Sequence, residues 1–243
     1  MSDIRKTLSD GTPVVFTEGA WDAIGELLRE DAELAAREST ELLEATMTEI
    51  KFPTYPARPM NGGPLEKARP KRGEWFAEPK VNGWRALVHV PTGQMWNRRG
   101  EKLTIATEFK RALEKLREAV PTMPWADCEA LERRHHIGRG SLIVLDIIPG
   151  LAAPYSWRRD FLSGKLPSFM NPEECEEDST YLIPSLPGAQ ANELYNALPV
   201  LNDTCRAEFY EGIVMKRADS TYPSQFINPN RETTDWIKHR WHF

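Results

Sequence analysis

The stretch Glu78-Pro79-Lys80-Val81-Asn82-Gly83-Trp84-Arg85 places a lysine just ahead of a glycine turn that leads into a strand. A lysine held at a pocket mouth becomes a nucleophile when desolvation or nearby cations lower its pKa. Alone, the pattern also describes many solvated lysines. Four later blocks strengthen it. Asp127-Cys128-Glu129-Ala130-Leu131 sets a carboxylate on a strand. Asp146 lies inside the apolar run 142–148, where a lone buried carboxylate needs either a structural partner or a metal. Glu211-Gly212-Ile213-Val214-Met215-Lys216 puts a carboxylate and an ammonium at opposite ends of a short strand. Positions five apart point to opposite faces of a regular strand, so a bulge or the strand ends must intervene if both line one pocket. In Trp236-Ile237-Lys238-His239-Arg240, alternation puts Lys238 and Arg240 on one face.

The elements that must position these groups follow from periodicity and punctuation. Residues 84–90 alternate and predict a strand, with 94–97 as its hairpin partner across Pro91-Thr92-Gly93. Residues 105–120 predict a helix with Phe109, Leu113, Leu116 and Val120 on one face. Strands are expected at 125–132 and 141–148, the second nearly all apolar and so central in its sheet. A helix begins at 155–162, an acidic surface loop spans 171–180, and a helix spans 190–198. Strands at 212–216 and 235–239 close the chain. Hairpins interrupt the alternation of strands and helices, which indicates an α+β class rather than a doubly wound sheet. Ahead of this lies a helical pattern over 19–50, carrying Trp21, Ile24, Leu28, Leu42 and Met47. Residues 51–73 hold five prolines and three glycines and read as an extended connection. The expected organisation is a helical appendage over 1–50 and one catalytic domain over 51–243.

The chain has 243 residues and a formal net charge of -5, which by itself disfavours a nucleic-acid partner. The charge is unevenly spread, however: net -8 over 1–50, +8 over 51–140 and -5 over 141–243. The basic centre holds Lys80, Arg85 and Arg98, where phosphates can bind. Apolar residues make up 40% and charged residues 28%, which excludes a wholly disordered chain. No apolar run approaches a membrane span, and the first residues lack a secretory h-region. Cys128, Cys175 and Cys205 form no CxxC pair, so a reducing, cytoplasmic setting is expected and a zinc site or disulfide framework is not. His135-His136 has no third ligand nearby in sequence and is read as a loop pair.

Taken in order, the blocks resemble the nucleotidyltransferase motifs of ATP-dependent polynucleotide ligases. Residues 80–85 are similar to motif I (K-x-D-G-x-R), 127–131 to motif III, 144–147 to motif IIIa, 211–216 to motif IV and 236–240 to motif V. Two further stretches resemble DNA ligases in particular: 97–104, like the S-R-x-G block after motif I, and 155–162, like the tyrosine-to-R-R-x-x-L segment after motif IIIa. The resemblance runs from about residue 55 to 240. It implies an α+β nucleotidyltransferase (ATP-grasp-like) fold of two packed antiparallel sheets with flanking helices and ATP between them.

The resemblance also implies roles. Lys80 would attack the ATP α-phosphate, form a lysyl-AMP bond and release pyrophosphate. AMP would then pass to the 5′-phosphate of nicked DNA, and a 3′-hydroxyl would displace it. Glu129 and Glu211 match carboxylates that hold divalent metal or ribose, with Mg²⁺ the natural ion. Lys216 and Lys238 match lysines at the α-phosphate, with Arg240 beside them. Arg85 and Arg98 match arginines that contact ribose or nucleic-acid phosphate, and Arg158 matches a pocket arginine. Glu78 matches the residue that reads adenine; Leu145 and Val214 would cover the two faces of the base. Three positions depart from the pattern: Asn82 stands for Asp, Cys128 for Gly, and Leu145 for a stacking aromatic. The chain ends three residues past Arg240, so an adenylation domain without a C-terminal OB domain is expected. Substrate grip would then fall to the N-terminal helices or to a partner protein. A minimal DNA ligase of viral or phage type, serving DNA replication or repair, is the first reading. RNA ligation, which Asn82 favours, is the alternative, together with a non-catalytic relative that binds nucleic-acid ends. A capping guanylyltransferase using GTP is disfavoured by the DNA-ligase-like blocks.

Overall fold

A computed structural model of the chain describes residues 3–7, 13–17, 50–65, 73–132, 135–149, 152–225 and 230–241. The chain divides into two compact units, Met1–Lys51 and Phe52–Phe243. In the first, β1 (Asp3–Thr7) and β2 (Pro13–Thr17) form an antiparallel hairpin with Arg5 opposite Val15. The helix expected over 19–50 falls on residues 19–49, outside the described ones.

The second unit is α+β. The prolines that mark 51–73 as a connection leave two short strands there, β3 (Tyr55–Pro56) and β4 (Arg58–Asn61). The hairpin of β6 (Trp84–His89) and β7 (Gln94–Asn97) follows β5 (Trp75–Val81). With β8 (Trp125–Ala130), β9 (Leu142–Ile148) and β10 (Thr180–Leu182), the hairpin builds a sheet of order β10-β9-β8-β6-β7. The other large sheet has order β11-β5-β12-β14-β4, using β11 (Leu186–Pro187), β12 (Tyr210–Arg217) and β14 (Glu232–Arg240). Between β12 and β14 lies β13 (Ser224–Gln225), which pairs with β3.

These sheets correct the expectation of purely antiparallel layers. β10 runs parallel to β9, and β4 runs parallel to β14. Parallel neighbours need a long crossover, and residues 149–179 supply one between β9 and β10. The nearly all-apolar β9, expected at the centre, is second from the sheet edge, and β8 takes the central place.

Each sheet buries one face against a helix. Alternation along β6 and β8 turns Ala86, Val88, Ala126 and Cys128 to one side, and a register shift between β8 and β9 brings both Val144 and Ile147 to that side although they are three residues apart. There they meet Phe109, Leu113, Leu116 and Val120, the stripe expected from the sequence. That stripe rides on a 3-10 turn, Thr104–Phe109, followed by α1 (Lys110–Ala119). Full burial of each large apolar side chain contributes about 1.5–3 kcal/mol. On the second sheet, Ala77, Val81, Ile213, Met215 and Ile237 pack with Leu194 and Leu198 of α3 (Ala191–Cys205). α3 continues past Pro199, where the sequence signals a stop. The remaining helix, α2 (Tyr155–Leu162), follows β9. With their apolar faces covered, the sheets turn their other faces toward each other, and those faces carry the charged residues.

Candidate active site

Three cross-strand rows build one wall. Lys80 on β5 lies opposite Gly212 on β12, which lies opposite Arg240 on β14. The next row is Glu78, Val214 and Lys238, and the third is Phe76, Lys216 and Trp236. Directly paired residues share a face, so this wall follows from register alone. β5, which carries both Glu78 and Lys80, is not legible as a strand in the sequence. Its core-facing residues are Ala77, Pro79 and Val81, and a proline argues against an inner strand. The two-residue β11 covers only Phe76 and Ala77, so β5 has an open edge at Pro79, which tolerates proline.

The bulge required to bring Glu211 to this wall is present. The β5–β12 register shifts between Tyr210 and Gly212. Gly212 has φ 145°, and a Cβ there would lie 1.9 Å from the His239 carbonyl oxygen. The bulge lets the Glu211 carboxylate accept from Lys80 Nζ, while Arg240 Nη2 donates to the same oxygen at 3.0 Å.

The facing sheet supplies the second wall. Arg85 and Glu129 are directly opposed on β6 and β8. The Gly83 amide donates to Glu129 Oε1 at 3.1 Å. A side chain at Gly83 would meet the Ala130 carbonyl oxygen at 2.9 Å, so glycine is what permits this approach. Arg85 grips Asp127 with two bonds, Nε to Oδ1 at 2.9 Å and Nη2 to Oδ2 at 2.5 Å. Its Nη1 donates to the Ala57 carbonyl at 3.3 Å, and Tyr222 Oη donates to Asp127 Oδ2 at 2.8 Å.

Between the walls lies a cavity of about 350 Å³. Of the residues singled out by sequence, Glu78, Lys80, Arg85, Arg98 and Glu129 line it, as do Leu145, Glu211, Val214, Lys216, Lys238 and Arg240. Arg158 does not. It is fully buried and holds Asp146 through Nε to Oδ1 at 2.7 Å and Nη2 to Oδ2 at 2.9 Å. Its Nη1 donates to the carbonyls of Ala153 and Ser220. Asp146 thus has a structural partner. Three lining residues escape sequence reasoning: Arg58 and Pro59, hidden in the proline-rich connection, and Trp236, which reads as core.

The cations differ in how they are used. Lys80 is paired with Glu211. Lys216 is 2% exposed and donates to Glu78 Oε2 at 2.9 Å and to the Leu145 carbonyl at 2.7 Å. Its ammonium lies 4.6 Å from the Trp236 ring centre and 4.9 Å from that of Tyr155, whose hydroxyl donates to the other Glu78 oxygen. Burial, together with the Glu78 charge, pushes the Tyr155 hydroxyl well above its ordinary pKa. Lys238 forms no ion pair among the described residues, and burial with Arg58 and Arg240 pulls it below the ordinary lysine range. The Trp236 Nε1 and Arg240 Nε donors are buried with no acceptor among the described residues.

Burial is the chief reason the Glu129 carboxyl is raised to about 7; Lys80 and Arg85 oppose that shift, and Asp127 and Glu211 add to it. A raised carboxyl favours folding at low pH and costs stability as pH climbs from the ordinary glutamate value through 7. Glu129→Gln keeps the acceptor for Gly83 and removes the charge. It is expected to stabilise the fold by roughly 1–3 kcal/mol at pH 8, with the gain fading near pH 4. Urea unfolding of both proteins across that range measures it; an equal gain at every pH would contradict it.

No protein-family model and no curated protein matches the chain. Solved structures do. The ligase domain of LigD from M. tuberculosis superposes with a TM-score of 0.52 at 20% identity, over 77% of this chain and 59% of that one. The chain has the fold of that ligase domain. A second structure, Pmar-Lig_PreS3, gives 0.50 at 13% identity, over 81% of this chain and 49% of its own. The chain spans less than two thirds of the length of both of these structures. Among the described residues, no cluster of three or more His, Cys, Asp or Glu could hold a metal, and no helix is long and apolar enough to cross a membrane.

Proposed function

We propose that the chain is an ATP-dependent polynucleotide ligase that seals nicks in DNA through a lysyl-AMP intermediate. One observation carries the reading. A lysine, two carboxylates and a phosphate-ready lysine from two facing sheets converge on a single cavity, on a ligase-domain fold.

Lys80 is the nucleophile. Its nitrogen forms a bond to the α-phosphorus, the bond to the bridging oxygen breaks, and pyrophosphate leaves with that electron pair. The ammonium must first lose a proton, and Glu211, in contact with Nζ, is placed to take it. Lys238, with its charge unspent, neutralises charge that builds on the phosphate. Lys216 is committed to Glu78 and the Leu145 carbonyl, so its contribution is to orient the base-reading carboxylate.

Mg²⁺ takes one or two carboxylates plus substrate phosphates and keeps several waters. Glu129 and Glu211 on one cavity fit that donor set and would hold the ion, which supplies charge neutralisation at the phosphates. RNA ligation is the second reading, supported by Asn82 standing where the DNA-ligase pattern has Asp.

The test is to incubate the chain with Mg²⁺ and α-labelled ATP or GTP. A covalent adduct with ATP is expected; no adduct with either nucleotide, where a control ligase labels, sinks the proposal. Sealing of nicked RNA without sealing of nicked DNA would select the second reading.

A further inference from the structure

Trp84 sits between the glycine turn and Arg85, and alternation along β6 turns it away from the cavity that Arg85 lines. It is 44% exposed. It stands on the wall of a second pocket of about 470 Å³, outside the site described above. That volume lies in the range of small-molecule sites. The two cavities are neighbours, because Asn82 and Gly83 line both.

The second pocket is preformed, and Asn82 ties its walls together. The Asn82 backbone amide donates to the Phe209 carbonyl at 2.9 Å, and its side-chain amide donates to the Glu208 carbonyl at 3.2 Å. These bonds fix the connection between α3 and β12. The Asn82 carbonyl accepts from His135 Nε2 at 2.6 Å, which fixes that ring. The exposed side chains of His136 and Arg206 pair with nothing among the described residues. The lining is thus an aromatic surface with hydrogen-bonding groups of both kinds around it. Arg206 donates, His136 can do either, and Glu132 and Glu208 accept. Two carboxylates against one guanidinium disfavour a phosphate here. A flat, neutral ring that carries both donors and acceptors suits the lining, and a nucleobase is such a ring.

We propose that this pocket takes an unpaired nucleobase, stacked on Trp84 with His136 and Arg206 at its edge. A base inside a duplex is covered by its neighbours and paired along its edge, so only an unpaired or extruded base can enter. Such a base has two sources, the end of a strand held beside the Lys80 cavity and a free nucleotide. The turn shared by the two cavities favours the strand, and that choice rests on the ligase reading; the base site itself does not. The strand end taken would then be frayed or single-stranded rather than fully paired.

The test measures binding by fluorescence anisotropy and calorimetry on the full chain, without ATP. The probes are a short 5′-phosphorylated single strand, an abasic strand of the same length, a fully paired duplex and free cytidine monophosphate. Trp84→Ala is expected to weaken the single strand about tenfold, as loss of one stacked base does. The abasic strand and the duplex should stay within about twofold of wild type. Trp84→Phe should recover most of the loss, since a smaller ring still stacks. The loss should keep its size as salt rises, because stacking releases no phosphate counterions. Trp157→Ala, at a residue 46% exposed on α2, should change no affinity. Loss confined to the single strand assigns the pocket to a strand end; an equal loss for cytidine monophosphate assigns it to a free nucleotide. Single-strand and mononucleotide affinities within about twofold of wild type in Trp84→Ala overturn the proposal. An equal loss on the abasic strand, on the duplex or in Trp157→Ala overturns it too. His136→Ala, at an exposed residue, is expected to weaken the single strand about threefold and keeps the inference testable should Trp84→Ala not fold. A chain that binds the strand through Trp84 yet forms no lysyl adduct refutes the ligase reading and leaves the base site standing. An adduct formed with ATP and no effect of Trp84→Ala on any probe does the reverse.

Discussion

Lys80→Arg is expected to abolish covalent nucleotide transfer, by more than about 10³-fold, while leaving the fold intact. The change separates charge from nucleophilicity. A guanidinium keeps its positive charge, so the contact with Glu211 survives and the paired carboxylate is not stranded. It cannot lose its proton near neutral pH, so no lone pair is available to attack phosphorus. Mass spectrometry after incubation with ATP and Mg²⁺ reads the result directly, and an adduct of unchanged yield would place the nucleophile elsewhere. The same variant should still seal a nick whose 5′ end is already adenylated, because the attacking group in that step is the 3′-hydroxyl. Loss of this last step as well would mean that Lys80 does more than carry AMP.

Arg158→Met is expected to cost about 3–5 kcal/mol of stability, because it leaves Asp146 buried and uncompensated. Asp146 is 1% exposed and Arg158 not at all, so water cannot replace the lost partner. The double change Arg158→Met with Asp146→Leu should recover most of that loss, since well-packed apolar groups often replace a buried pair without penalty. Urea midpoints of the single and double variants measure the cycle. ATP binding by the double variant separates the two roles open to Arg158. Affinity close to wild type is expected of an arginine that lies off the cavity. A tenfold loss would restore it as a nucleotide contact.

Much of this site is legible one strand at a time. The lysine before the glycine turn, the carboxylate of 127–131 and the alternating block at 236–240 each depend on neighbours within a few residues. So does the need for a bulge at Glu211, because two residues five apart on a strand cannot otherwise share a face. The helical stripe from Phe109 to Val120 is legible for the same reason. β5 is not, because its proline masks a strand whose tolerance depends on how short its neighbour β11 is. The parallel placement of β4 and β10 depends on crossovers, and hydrophobic period carries no information about strand direction.

The sequence by itself determined which chemical groups are present, their local periodicity, and the order of blocks that resembles a polynucleotide ligase. Tertiary structure alone decided which charges meet. Register across β5, β12 and β14 set Lys80 against Glu211, Lys216 against Glu78, and left Lys238 open. It sent Arg158 into the core and brought Arg58, from a stretch that reads as a connection, to the cavity wall. The physical reason is that side-chain direction is a local property of the chain. Coulomb energy and desolvation, by contrast, depend on distances between residues far apart in it.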